Sequence, residues 1–153
     1  MNAKEYVGRQ LSSFTFDVER SQLRLFAKAI GETRNLYLDV DAAKAAGYRD
    51  LPAPPTFPFT IGMNPDDQFD MLKAIDVELA RVLHGEQSFE YFIPICAGDR
   101  VLVKREIVDA YEKRGGALSF FVIGLTYEDA RSAQPFCSAR QVVVARNPVA
   151  KNA

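Results

Sequence analysis

Residues 51–63 read Leu-Pro-Ala-Pro-Pro-Thr-Phe-Pro-Phe-Thr-Ile-Gly-Met, and whether they form a helix or a strand decides the architecture of the chain. Phe57, Phe59, Ile61 and Met63 alternate, as they would in a strand. Pro58 argues the other way. It cannot donate to a ladder in a central strand, whereas in the first turn of a helix its missing N–H breaks no intrahelical bond. Thr56 stands where its hydroxyl would cap such a helix, and Asn64-Pro65 would stop it. The stretch therefore predicts a short helix entered through a proline-stiffened loop. Its apolar side chains project around the whole circumference, as in a helix buried on all sides.

The sequence downstream supplies what would surround that helix. Strands are predicted over 82–93, 100–113, 117–128 and 134–146. The gaps at 97–99 (Ala-Gly-Asp), 114–116 (Arg-Gly-Gly) and 129–132 (Asp-Ala-Arg-Ser) are hairpin-sized, which predicts an antiparallel meander. Upstream, Phe14 and Phe16 alternate with polar neighbours and mark a short strand over 13–18. Leu23, Phe26, Ala27 and Ile30 then recur at helical spacing, and Gly31 falls where a left-handed cap belongs. Asp39 is placed to cap a second, alanine-rich helix that runs through 46 and ends at Gly47. A further short helix is predicted over 67–74. Long strands about one apolar helix give an α+β hot-dog fold, an antiparallel sheet wrapped around a central apolar helix. The expectation is a single domain over 1–153, with a frayed tail from Asn147.

The chain has 153 residues, 48% hydrophobic and 25% charged, which suits one globular domain with a sizeable core. A formal net charge of -1 and a pI of about 5.9 leave no basic excess to neutralise a phosphate backbone, so no nucleic-acid partner is expected. Residues 1–8 are polar and no apolar run approaches the ~20 residues of a membrane span. A soluble, cytoplasmic protein without a membrane partner is expected. Cys96 and Cys137 are far apart with no close Cys or His, so neither a zinc site nor a redox motif is indicated. They read as small buried hydrophobes, and no metal or cofactor is expected.

Several segments carry a family resemblance. Phe26-Ala27-x-Ala29-x-Gly31-Glu32, Leu36-Tyr37-x-Asp39, Ala42-Ala43, Gly47-Tyr48 and Ala53-Pro54-Pro55-Thr56-Phe57 resemble the MaoC-like dehydratase and hydratase family, most closely its N-terminal-type domain. Leu83-His84-Gly85-Glu86-Gln87-x-Phe89-x-Tyr91, Pro94 and Ala97-Gly98-Asp99 are similar to that family's strand and turn after the hot-dog helix. The resemblance runs over about residues 6–146. It implies reversible hydration of an enoyl thioester of coenzyme A or acyl carrier protein to the (R)-3-hydroxyacyl product. It also implies a dimer of hot dogs, either a homodimer or a heterodimer with a catalytic MaoC-like subunit.

Active members carry an Asp and, after four intervening residues, a His in the loop after the first helix. Here those positions hold Glu32 and Tyr37. A tyrosine with the ordinary pKa of about 10 is a poor base at neutral pH. Glu32 keeps a carboxylate, one methylene longer. The same departure marks the family subunit that shapes the acyl channel while its partner supplies the Asp and His. The resemblance also implies a backbone N–H at the start of the hot-dog helix that polarises the thioester carbonyl. Pro54 and Pro55 have none, which leaves Thr56 or Phe57.

Plainer readings stand beside these. Glu32 is also what a solvated residue after a helix end looks like, and Tyr37 is also a core or channel filler. His84 is the sole histidine, so it is the third catalytic candidate and any imidazole chemistry would be its own. With unbroken alternation it shares a face with Glu86, Ser88 and Glu90, opposite Gln87, Phe89, Tyr91 and Ile93, which puts it outside the core or at a dimer contact. Asn35 can fix a water or a turn, Pro55 sets the approach of the loop to the helix, and Gly98-Asp99 reads as a hairpin turn. Three classes result: a hydro-lyase, a non-catalytic acyl-thioester-binding subunit, and a thioesterase on the same fold.

Overall fold

Alternation along three long strands builds one apolar face, and a short helix rests on it. The computed structural model describes residues 2–148. The elements are β1 (Phe14–Asp17), α1 (Arg20–Ala29), a 3-10 turn (Asn35–Tyr37), α2 (Val40–Ala45), α3 (Phe57–Ile61), α4 (Asp70–Ala74), β2 (Val82–Tyr91), β3 (Arg100–Lys113), β4 (Leu118–Asp129) and β5 (Pro135–Arg146). The strands form a five-stranded antiparallel sheet in the order β1-β3-β4-β5-β2. Val101, Val103 and Ile107 of β3, Phe121 and Ile123 of β4, and Val143 of β5 share one buried cluster with Phe57 and Ile61 of α3. This is the α+β hot-dog fold, with α3 as its central helix.

The ends of α1 and α2 are capped as the sequence predicts. Gly31 ends α1 at φ +73°, with Gly31 N–H bonded to Lys28 O (3.1 Å) and Glu32 N–H to Ala27 O (2.8 Å). These two bonds satisfy carbonyls that the helix end would otherwise leave unpaired. Asp39 caps α2 by accepting from Ala42 N–H at 2.8 Å. Cys96 and Cys137 are buried and free.

Five expectations are corrected. The sheet is not a simple meander, because β2 pairs with β5 at the far edge rather than with β3. Residues 92–99 carry the chain across the molecule instead of turning a hairpin. Ala53 N–H bonds Ile95 O, Ala97 N–H bonds Leu51 O, and Gly98 N–H bonds Val18 O, at 2.8–2.9 Å, so the segment is stitched to the loop before α3 and to the end of β1. Nor is α3 buried on all sides. Phe57 and Ile61 are in the core, but Phe59 and Met63 are 37% and 41% exposed, because the sheet covers only one flank of the helix. Thr56 precedes α3 without a capping bond from its hydroxyl. Asn147 is not frayed: its side-chain amide donates to Gly116 O and Ser119 Oγ at 2.7 and 2.8 Å. The rest of the expected tail, residues 149–153, lies outside the described residues.

Phe57 anchors α3. Its ring meets Phe26 of α1 edge-on at 5.2 Å and Phe16 of β1 at 6.2 Å. One side chain thus joins the first strand, the first helix and the central helix, which fixes the loops on either side of α3. Among the described residues, no helix is long and apolar enough to cross a membrane.

Candidate functional site

The turn that ends α1 delivers Glu32 into a tight local cage. Its carboxylate accepts from Thr33 N–H (3.0 Å), Arg34 N–H (2.9 Å), Arg34 Nε (3.0 and 3.1 Å) and Arg34 Nη2 (2.6 Å). The guanidinium of Arg34, with the backbone donors beside it, holds this carboxyl at about 2, well below the usual glutamate range. Both oxygens are engaged and the proton affinity is low. That is the opposite of what a general base needs near neutral pH.

Arg34 also covers the second motif position. Its guanidinium carbon stands 5.0 Å from the centroid of the Tyr37 ring, over the ring face. Tyr37 itself is buried, held by the 3-10 turn in which Asn35 O accepts from Leu38 and Asp39 N–H. Asn35 therefore acts through its backbone, in the turn role. One arginine thus engages both motif residues, the carboxylate through its N–H groups and the phenol ring from above.

Tyr37 lines a cavity of about 330 Å³ with Tyr48, Pro55, Pro58, Tyr91 and Ile93. The Tyr91 hydroxyl donates to Pro55 O; the side chain is half-exposed at the cavity rim, and partial burial of its phenol pushes it up to about 12. Among the described residues, the lining of this cavity includes no carboxylate and no imidazole. Phe57 N–H is committed to Pro54 O at 2.8 Å, and its side chain belongs to the core. Thr56 N–H donates to no backbone acceptor among the described residues, and Thr56 is exposed, so it is the donor left at the start of α3. The wall behind this cavity is pinned by Asp99, which accepts from Arg49 Nη1 and Nη2 at 2.7 and 2.9 Å and from Cys96 N–H at 2.8 Å. Asp99 is thus a buried clamp as well as a turn residue.

His84 is elsewhere: it is exposed and outside the buried core, as expected, but on the other face from the one predicted. β2 bulges between His84 and Glu86, so Gly85 takes up one residue and the alternation resets. His84 pairs with Val143, and Gln87 with Gln141, all on the face that carries α3. The imidazole lies 5.3 Å from the Phe59 ring. It lines a second cavity of about 210 Å³ between α3 and the sheet, bounded by Phe59, Gly62, Met63, Phe69, Leu83, Gln87 and Tyr127 among others. Gly62 makes this geometry possible, since a Cβ there would sit 2.6 Å from the Tyr127 hydroxyl.

The structure therefore brings Tyr37 and Pro55 together in one cavity, puts Glu32 beside Tyr37 through Arg34, and sends His84 to the other. Residue-level reasoning missed Arg34 as the group that engages both motif positions, and Tyr91 as a cavity wall. A glycine inside a strand is a bulge signal, so the position of His84 was open to inference from Gly85.

A family model described as "FAS1-like, dehydratase domain region" matches residues 5–134. The chain belongs to the FAS1-like dehydratase-region family. A relative within reach of ordinary sequence comparison is the UPF0336 protein of Saccharopolyspora erythraea, 33% identical over 144 residues, which cover 94% of this chain and 90% of the relative. Among solved structures, the C-terminally truncated HadBC (3R-hydroxyacyl-ACP dehydratase) complex of Mycobacterium tuberculosis includes a chain that superposes with a TM-score of 0.79 at 23% identity, covering 92% of this chain and 97% of that one. A MaoC-like dehydratase superposes equally well, TM-score 0.79 at 23% identity, over 94% of this chain and 43% of its own. At such identities these superpositions establish the hot-dog fold. The FAS1-like dehydratase-region chain thus has the MaoC-like architecture expected from its segments.

Proposed function

We propose that this chain is an acyl-thioester-binding subunit of an (R)-specific enoyl-thioester hydratase or 3-hydroxyacyl-thioester dehydratase, acting on acyl-CoA or acyl carrier protein. The catalytic Asp and His come from a MaoC-like partner subunit. The observation that carries this reading is the state of Glu32: a carboxylate with both oxygens bonded to Arg34 and Thr33 does not activate water. Tyr37 offers no base in its place. Thr56 N–H remains as a donor, and a single oxyanion donor without a base leaves hydration incomplete.

The surface supports a partner. Phe59, Met63, Phe69, Leu79 and Leu83 are exposed on the rim of one cavity, and Tyr91 and Phe92 on the other. β2, which carries part of both rims, is a sheet edge paired on one side only. An edge of ten residues with apolar flanks calls for a cover. The HadBC assembly, named as a 3R-hydroxyacyl-ACP dehydratase complex, is a structural relative of this kind.

A hydration assay on crotonyl-CoA and longer enoyl-CoAs tests the proposal, run on the chain alone and after co-expression with a neighbouring-gene product. The free chain is expected to stay near background and the complex to turn over. Full activity of the free chain would overturn the reading.

A further inference from the structure

The cavity beneath α3 is apolar over most of its wall, yet its floor carries a pair of side-chain amides. Gln87 of β2 and Gln141 of β5 are register partners and stand side by side on the inner face. Val143 and Ile123 line the same floor. Gln87 Oε1 is fully buried and accepts no hydrogen bond among the described residues. The Gln87 amide nitrogen reaches only its neighbour's carbonyl, Ser88 O, at 3.5 Å.

One other buried side-chain atom among the described residues lacks a partner, Arg105 Nε, and Arg105 lines this same cavity. Its charge is already met by Asp70, and Ser12 O takes a further N–H. The Gln87 carbonyl has no such task. A leucine there would fill a similar space without an unpaired acceptor, so an amide at this depth is costly unless a ligand donates to it.

We propose that Gln87 determines specificity: the cavity beneath α3 takes an extended aliphatic ligand that bears a hydrogen-bond donor, an O–H or an amide N–H, at the depth of the Gln87 carbonyl. The proposal rests on the reading of the chain as an acyl-thioester-binding subunit. Two parts of an acyl thioester bear such donors, a hydroxyl on the acyl chain and the amides of the pantetheine arm. Gln141 lines the same cavity as the register partner of Gln87, and its amide is of the type that would donate to a hydroxyl bonded to Gln87.

Calorimetric titration separates the sources. The probes are dodecanoyl-CoA, positional isomers of hydroxydodecanoyl-CoA, and dodecanoate, against wild type and Gln87→Leu, with Gln87→Met as a second apolar replacement. If the donor is on the acyl chain, wild type binds one hydroxylated isomer about tenfold tighter than dodecanoyl-CoA, and Gln87→Leu abolishes that preference. If it is on the pantetheine arm, Gln87→Leu weakens dodecanoyl-CoA about tenfold and leaves dodecanoate unchanged. Either result supports the assignment. Both variants leaving every CoA probe unchanged, or tightening all of them alike, would overturn it. Failure of wild type to bind any acyl-CoA would instead remove the subunit reading, and this proposal with it. Thermal unfolding of Gln87→Leu at or above the wild-type temperature shows that the loss is not one of folding.

Discussion

α3 divides two cavities that are made in different ways. Pro58 faces the one beside the motif loop, whereas Phe59 and Gly62 face the one beneath the helix. In the first, the polar chemistry is closed by neighbours in sequence: Glu32 is bonded by Thr33 and Arg34, and Arg34 lies over Tyr37. The second is assembled from α3, α4 and the four strands β2 to β5, and it keeps polar atoms without partners inside an apolar wall. The difference teaches that a polar cluster closed by its sequence neighbours and a cavity with unpaired polar atoms, built by distant elements, can flank the same short helix.

Removing the divider should disturb both sides at once. Phe57→Ala is expected to destabilise the protein by about 3 to 5 kcal/mol, the usual cost of deleting a buried phenylalanine. Chemical denaturation measures this. A loss under about 1 kcal/mol would mean that α3 does not organise the core.

Asp70→Asn should act on the second cavity alone. Asp70 of α4 holds Arg105 at 2.5 and 2.9 Å and accepts from Ser12 Oγ and Asn64 Nδ2, both at 2.8 Å, which ties the segment after α3 to the sheet. Losing the carboxylate leaves a buried guanidinium without its counter-ion, at a cost of about 3 kcal/mol. Burial alone would raise this carboxyl, but the hydrogen bonds from Arg105, Asn64 and Ser12 outweigh it and hold it at about 2. A folded pKa below the unfolded value of 3.8 contributes stability above that value and loses it as pH falls toward 2. The variant should therefore show a shallower loss of stability between about pH 4 and 2.

Much of this was legible where the physics is local. The caps at Gly31, Gly47 and Asp39 depend on one residue and its immediate neighbours, and all three are where their residue types require. The long strands follow from their own alternation. The strand order was not legible, because it is set by the bonds that stitch residues 92–99 to Leu51, Ala53 and Val18, and no spacing announces them. The face of His84 was lost to one inserted residue at Gly85, since a bulge puts the side chains before it out of phase with those after it. The pairing of Glu32 with Arg34 is close in sequence, but an i, i+2 pair outside a helix has no periodic signature.

Smaller substitutions sharpen the contrast. Gly62→Ala places a methyl against the buried Tyr127 hydroxyl and Leu125, and is expected to cost about 1 to 3 kcal/mol while narrowing the cavity beneath α3. Thr56→Ala, on the motif-loop side, should change stability by less than about 0.5 kcal/mol, because the hydroxyl makes no capping bond. A loss near 1 kcal/mol in a thermal melt would restore the cap.

The most direct test is the hydration rate of the active complex with Glu32→Gln in this chain. If the base belongs to the partner subunit, the rate should stay within about twofold of wild type, since only an interaction made in the transition state lowers it. A fall of a hundredfold or more, with the complex still assembled, would show that Glu32 is the base after all and would contradict the account.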